Sequence, residues 1–251
     1  MSMSSRRVLR AGIVPVVAAL ALAGCGSSDS GDTAGGSAGS PAKTAEAPKK
    51  PSGAELVKQA KATALAAKSG RVVGSVTDEG KQMSIDLAGT LDGTNQALTM
   101  GMGGEGEATI LTVGGKNYMT GDTTFWTTQA GAEAAKMLDG KYVLVPAAEA
   151  KEMGDMTLKG LLDEIFAEDM SALESANSKV EETTVDGQKA YTLSDRVGGG
   201  GASMVVTADG KATLIKLTAP KDEPGEMTFS EWNAAKPVAA PSADSIIEPP
   251  Q

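Results

Sequence analysis

The 251 residues include 55 charged side chains (23 Lys plus Arg, 32 Asp plus Glu), 31 Gly, eight aromatics, one Cys and no His. The missing imidazole excludes Ser-His-Asp and Cys-His catalysis and His-based metal or haem sites, and a single Cys excludes internal disulfides and Fe–S clusters. A formal charge of −9 excludes a basic nucleic-acid footprint, and 41% hydrophobic content suits one soluble core but not a multispan membrane protein.

The chain opens with an export pattern. Arg6, Arg7 and Arg10 precede an apolar run, Ala11 to Leu22, that is too short to span a bilayer, and small residues follow it. Leu22-Ala23-Gly24-Cys25 resembles the lipobox of bacterial lipoproteins. The resemblance implies a signal peptide over residues 1–24 and a diacylglycerylated Cys25 as the mature N-terminus. Two acyl chains suffice for stable anchoring where one is marginal. The acidic remainder would be repelled by anionic headgroups, so membrane contact is expected through the lipid on Cys25 alone. The expected location is the extracytoplasmic face of the cell membrane.

Residues 25–53 read as a lipidated tether. From Gly26 to Gly53, 22 of the 28 residues are Gly, Ser, Ala, Pro or Thr, and none is Val, Ile, Leu, Met or aromatic. Nothing in that segment can offset chain entropy by burial. As a flexible coil it spans about 30 Å.

The folded domain is placed at 54–247, with 248–251 as a tail. Ser52-Gly-Ala-Glu55 has capping-box spacing, and Leu56, Ala60, Thr63 or Ala64, and Ala67 recur on one helical face, with Gly70 as the expected stop. The period then changes to two, with Met83, Ile85, Leu87 and Leu91 on one side of a strand and Ser84, Asp86 and Thr90 on the other. Glu79-Gly80, Asp92-Gly93, Gly114-Gly115, Asp186-Gly187 and Asp209-Gly210 each separate short apolar or alternating runs, which is a hairpin signature. These signals predict an antiparallel meander of about eight to ten strands, interrupted between Gly131 and Ala176 by helices. The clearest helix carries Leu158, Leu161, Leu162, Ile165 and Phe166 on one stripe. The predicted class is α+β.

Further segments carry a family resemblance. Tyr118 after Gly114-Gly-Lys-Asn117, Phe125-Trp126, Gly140-Lys-Tyr-Val-Leu-Val-Pro146, Asp186-Gly-Gln-Lys-Ala-Tyr191, Val205-Val-Thr-Ala-Asp-Gly210, Phe229-Ser-Glu-Trp-Asn233 and Pro237-Val-Ala-Ala-Pro241 occur in that order. Order and spacing across residues 54–247 resemble the LolA-like superfamily, and within it the actinobacterial lipid-binding lipoproteins of the LppX and LprG type. The resemblance implies a curved antiparallel half-barrel whose helices cover the concave face, and an apolar cavity between them that holds lipid. The expected function is binding or carriage of a lipid or other apolar ligand without catalysis. The alternative is a cell-envelope interaction or signalling lipoprotein with a packed core. No cofactor, metal or nucleic acid is expected, and no protein partner is named by the sequence.

Candidate cavity residues are Leu161 and Ile165 on the helix, and Ile85, Leu87, Leu98, Met100, Ile110 and Val205 on the strands. Met83, Met100, Met102, Met119, Met204 and Met227 also fall in strand-like runs, where flexible thioethers can adapt to acyl chains or simply fill a core poor in aromatics. Gly101-Met-Gly-Gly-Glu-Gly106 matches a dinucleotide fingerprint in form only. A strand-like run follows it where a helix is required, so it reads as a hairpin loop. Gly198 to Gly201 reads as a turn, and the acidic pairs Asp163-Glu164 and Glu181-Glu182 read as surface charge in preference to a glycosidase dyad.

Overall fold

The computed structural model describes residues 50–78, 80–152, 156–167, 170–195, 201–221 and 224–248. Cys25, the export segment, the tether up to residue 49 and residues 198–200 lie outside them.

Helix α1 (Gly53–Leu65) starts where the capping box places it. Ser52 is the N-cap, its hydroxyl accepts from the Glu55 N–H at 3.3 Å, and Glu55 Oε2 accepts from the Ser52 N–H at 2.8 Å. Ser52→Ala removes one half of this reciprocal pair and is expected to cost about 1 kcal/mol, or a melting temperature lower by about 2–4 °C; thermal unfolding followed by circular dichroism measures it.

The helix ends at Ala66 and not at Gly70, which lies inside strand β1 (Ser69–Asp78). Gly70 sits in a tight spot: a Cβ there would come within 3.1 Å of the Trp232 ring and 3.2 Å of Leu158 Cδ2, closer than most side-chain contacts. A meander follows: β2 (Lys81–Thr90), β3 (Asn95–Met102), β4 (Gly106–Val113), β5 (Lys116–Gly121). Next come α2 (Thr123–Ala130), α3 (Ala132–Leu138), β6 (Tyr142–Leu144), α4 (Ala147–Glu152), α5 (Leu158–Ala167) and α6 (Ser171–Glu174). A second meander closes the fold: β7 (Lys179–Val185), β8 (Gln188–Ser194), β9 (Ser203–Thr207), β10 (Leu214–Thr218), β11 (Gly225–Ser230) and, after an irregular segment, β12 (Ile246–Ile247).

Among the described residues, twelve strands make one curved, open sheet in the order β12, β6, β5, β4, β3, β2, β1, β11, β10, β9, β8, β7. The fold is an α+β half-barrel. Asp92-Gly93, Gly114-Gly115, Asp186-Gly187 and Asp209-Gly210 each join two hairpin strands, Glu79 lies outside the described residues, and the formal dinucleotide fingerprint is the β3–β4 turn, with Gly104 and Gly106 at φ 87° and 90°. The helical interruption starts earlier than expected, at Thr123, because Asp122 caps α2 by accepting from the Phe125 N–H at 2.7 Å.

Register defines the faces, since paired residues point the same way. One row runs Val180, Leu193, Met204, Leu217, Met227, Gly74, Ile85, Met100, Ala108, Gly121 across neighbouring strands from β7 to β5. This is the inner face. Leu56, Val57, Ala60 and Ala64 of α1, Leu158, Leu162, Ile165 and Phe166 of α5, and Leu173 of α6 pack with it into one core. The outer face is polar: Arg71 forks onto Asp86 (Nε–Oδ1 2.9 Å, Nη2–Oδ2 2.6 Å), and Thr99 and Thr109 share a hydrogen bond of 2.8 Å.

The chain leaves β11 through a tight corner at Glu231-Trp232-Asn233. Glu231 and Asn233 adopt φ of 52° and 60°, uncommon without glycine. The corner is held by Lys68 N–H donating to Asn233 Oδ1 (2.7 Å) and Trp232 Nε1 donating to the Leu214 carbonyl (2.8 Å), and Trp232 stacks on Phe229 with centroids 6.1 Å apart. The following strap meets Asn95, whose side chain accepts from the Val238 N–H and donates to the Val238 carbonyl, and ends as β12 in parallel pairing with β6.

Candidate functional site

Helix α5 folds as its stripe requires: Leu158 and Leu162 are fully buried, Ile165 and Phe166 nearly so, and Leu161 is half-buried against the core. Below them lie Val72, Leu87 and Leu98. The structure therefore brings seven of the eight candidate cavity residues to the inner face. Leu87, Leu98 and Ile165 are members of the core, Ile85, Met100 and Leu161 pack against it, and Ile110 pairs with Leu98. Val205 is the correction. Its neighbours Met204 and Val206 are the fully buried residues of β9, so the period of two turns Val205 to the other face.

The side chains that α5 presents to the sheet are packed into this core. Two features lie beyond the helix, at opposite ends of β2 and β3. At the outer end, Met83 and Met102 are register partners on the inner face and are 38% and 44% exposed. They continue the half-buried pair Ile85 and Met100. The apolar inner face thus runs on past its helical cover as a methionine-rich surface.

At the other end is a hollow of about 250 Å³. Leu98 and Ile110 form part of its wall, with Gln96, Thr112 and Asn117 from β3, β4 and β5, Asp92 to Thr94 from the β2–β3 turn, and Met156 and Thr157 from the approach to α5. The turn is rigid. Asp92 Oδ1 accepts from the Thr94 N–H (3.1 Å), the Thr90 hydroxyl (2.8 Å) and the Thr94 hydroxyl (2.9 Å), and these bonds hold the carboxyl below its ordinary range. Gly93 sits at φ 71°, and a Cβ there would collide with Thr157. Thr157 Oγ1 accepts from the Gly160 N–H (3.0 Å), and the Lys159 N–H donates to the Leu91 carbonyl (2.9 Å), so the first turn of α5 is clamped to the β2–β3 turn.

Gln96 is 5% exposed. Its Nε2 donates to the Met156 carbonyl at 2.7 Å, while Oε1 has no hydrogen-bond partner among the described residues. Sequence reading missed Gln96 because an isolated polar residue in an alternating strand looks outward-facing. Its parity with Leu98 and Met100 was the available signal.

The acidic pairs do not form a dyad. Glu181 and Glu182 are consecutive in β7 and point to opposite faces, Glu181 pairing with Lys179 at 2.8 Å, and Asp163 pairs with Lys159 along α5. Among the described residues no group of three acidic or thiol side chains is arranged to hold a metal ion, and no helix is long and apolar enough to cross a membrane.

The chain is similar in fold to LprF from Mycobacterium bovis, with a TM-score of 0.48 and 16% identity over 76% of this chain and 96% of that one. It is also similar to an uncharacterized conserved protein from Thermus thermophilus (TM-score 0.32, 7% identity, 78% of this chain and 98% of that one). A third likeness is to a chain in the MucA/MucB complex of Pseudomonas aeruginosa (TM-score 0.29, 9% identity, 76% of this chain and 59% of that one). No protein-family model and no curated protein matches the chain.

Proposed function

We propose that the protein is a lipid-anchored extracytoplasmic carrier that holds an apolar or amphipathic ligand, a lipid acyl chain above all, against the inner face of its sheet, without catalysis. One observation carries this reading: the inner face continues past α5 as the exposed pair Met83 and Met102. Met adapts its shape to a partner chain, and each methylene removed from water there contributes about 0.8 kcal/mol. The ligand surface proposed lies beyond α5, not beneath it. The anchor is proposed from Leu22-Ala-Gly-Cys25.

The Cys25→Ser protein, recovered from its own cell envelope, tests both parts. Without the thiol it is expected to leave the membrane fraction; retention there would overturn the anchor. In native mass spectrometry it is expected to carry added lipid mass. A bare mass would overturn carriage and leave the second reading, an interaction protein, which the packed core under α5 favours.

A further inference from the structure

We infer that the rim of the sheet carrying Met83 and Met102 docks on the bilayer that holds the Cys25 anchor, so that the protein meets its membrane with an apolar edge as well as with lipid. The inference rests on the anchor and carrier reading above and adds to it the direction in which the ligand surface opens.

The root of the tether sets that direction. The described chain begins at the exposed Lys50 and enters α1 through the Ser52 cap. Gly53 lies against the connection from α6 to β7, where a Cβ on it would collide with the Leu173 carbonyl and the Ser178 hydroxyl. Ser178 directly precedes β7. From Lys179, the first residue of β7, one row of register partners crosses the sheet through Ser203 and Ser75 to Ser84 and Gly101. Met83 and Met102 are the next residues outward from Ser84 and Gly101. The tether root and the methionine pair therefore share one end of the sheet.

Lengths show why this matters. The coil expected from the tether's composition spans about 30 Å. Ten-residue strands such as β1 and β2 are about 33 Å long. A tether rooted at the far end, beside Lys116, would be spent in running back along the sheet. Rooted at the rim, it leaves the methionines within reach of the bilayer. Little affinity is then needed, because a short flexible link holds the rim at an effective concentration of about millimolar.

The occupant follows from the chemistry of the rim. A chain with a net charge of −9 gains nothing from anionic headgroups, so the attraction must be apolar. Thioethers bend to an uneven surface, and an apolar edge of this kind settles into the boundary between headgroups and acyl chains. Docked this way, the inner face beyond α5 opens onto the acyl layer, and a lipid reaches it without crossing water.

The test uses the lipidated chain, purified from its own membrane and reconstituted into phosphatidylcholine vesicles. Acylation blocks Cys25, the one native cysteine, so Met102→Cys, Gln82→Cys and Lys116→Cys, made singly, each carry one nitroxide. Gln82 shares the rim but points to the outer face, and Lys116 is exposed at the opposite end of the sheet. The label at 102 is expected to collide with oxygen in preference to a water-soluble nickel chelate. The label at 82 should lose nickel collisions relative to 116, which stays aqueous, and the pattern should persist in molar salt because apolar contact is not screened. Met83→Ser with Met102→Ser should return the label at 82 to aqueous values while the chain still floats with the vesicles. Aqueous labels at 102 and 82 on chains that float would overturn docking and leave anchor and carriage standing. An apolar label at 102 beside an aqueous one at 82 would report a carried ligand alone and also overturn it. So would release in molar salt, or docking that survives the double serine variant. A chain that does not float would overturn the anchor, and the docking with it.

Discussion

Leu162→Ala is expected to lower the stability of the domain by about 2–5 kcal/mol, a large part of the 5–15 kcal/mol typical of a whole domain. Leu162 has no exposed surface and belongs to the core in which α5 meets Val72, Leu87 and Leu98. Truncation removes the transfer free energy of the lost carbons and leaves a void, which Leu158 and Phe166 cannot refill without shifting a helix clamped at its N-terminus. Ile165→Trp probes the same contact from the opposite direction. In a packed core the added bulk should cost about 1–3 kcal/mol. Urea midpoints of the two variants give the answer. If both matched the wild type, α5 would rest over empty space, and the ligand surface would have to be moved back beneath it.

The second large effect is on binding, at the other end of the strands. Met83→Glu combined with Met102→Lys is expected to abolish lipid carriage with a urea midpoint close to that of the wild type. The two side chains are register partners, so the new charges face each other across the ladder and offset one another in the free protein. Both positions are already exposed, and surface substitutions of this kind usually change stability by less than about 0.5 kcal/mol. An acyl chain laid over them would strip water from the charges. That costs about 2 kcal/mol or more, roughly thirtyfold in affinity. Loss of the lipid adduct in native mass spectrometry, with an unchanged midpoint, is the expected result. An adduct of normal intensity would place the ligand elsewhere.

Much of the architecture is legible in the chain because it is built from local signals. Asp-Gly and Gly-Gly turns fix hairpins within a few residues, and the spacing of Leu158, Leu162 and Ile165 can only be helical. What escaped depends on partners distant in sequence. Gly70 looks like a helix stop until Trp232, about 160 residues away, is seen to crowd the space beside it. Val205 could not be assigned a face because Met204, Val205 and Val206 are all apolar and show no alternation. The hollow was invisible for the opposite reason. Half of its lining residues are Thr, Asn, Gln or Asp, types that suggest solvent, and only the register of three strands and the α5 clamp brings them around one space with Leu98 and Ile110.

The position of β1 bears on how the chain becomes a sheet at all. In the finished molecule β1 lies between β2 and β11, with Arg71 opposite Ser230. That closure spans roughly 160 residues and costs about 2–3 kcal/mol more loop entropy than a ten-residue hairpin. While the polypeptide is being made, β1 through β6 can zip together from neighbour contacts, but β11 is still unsynthesised. For that interval the future centre of the sheet is a bare edge, able to template pairing with another nascent chain. Its own sequence blunts this hazard: two glycines, Gly70 and Gly74, and the charge of Arg71 make it a poor template for strangers. The glycines that lie close against Trp232 and Met227 in the native state thus also weaken this edge as a template in the half-made protein.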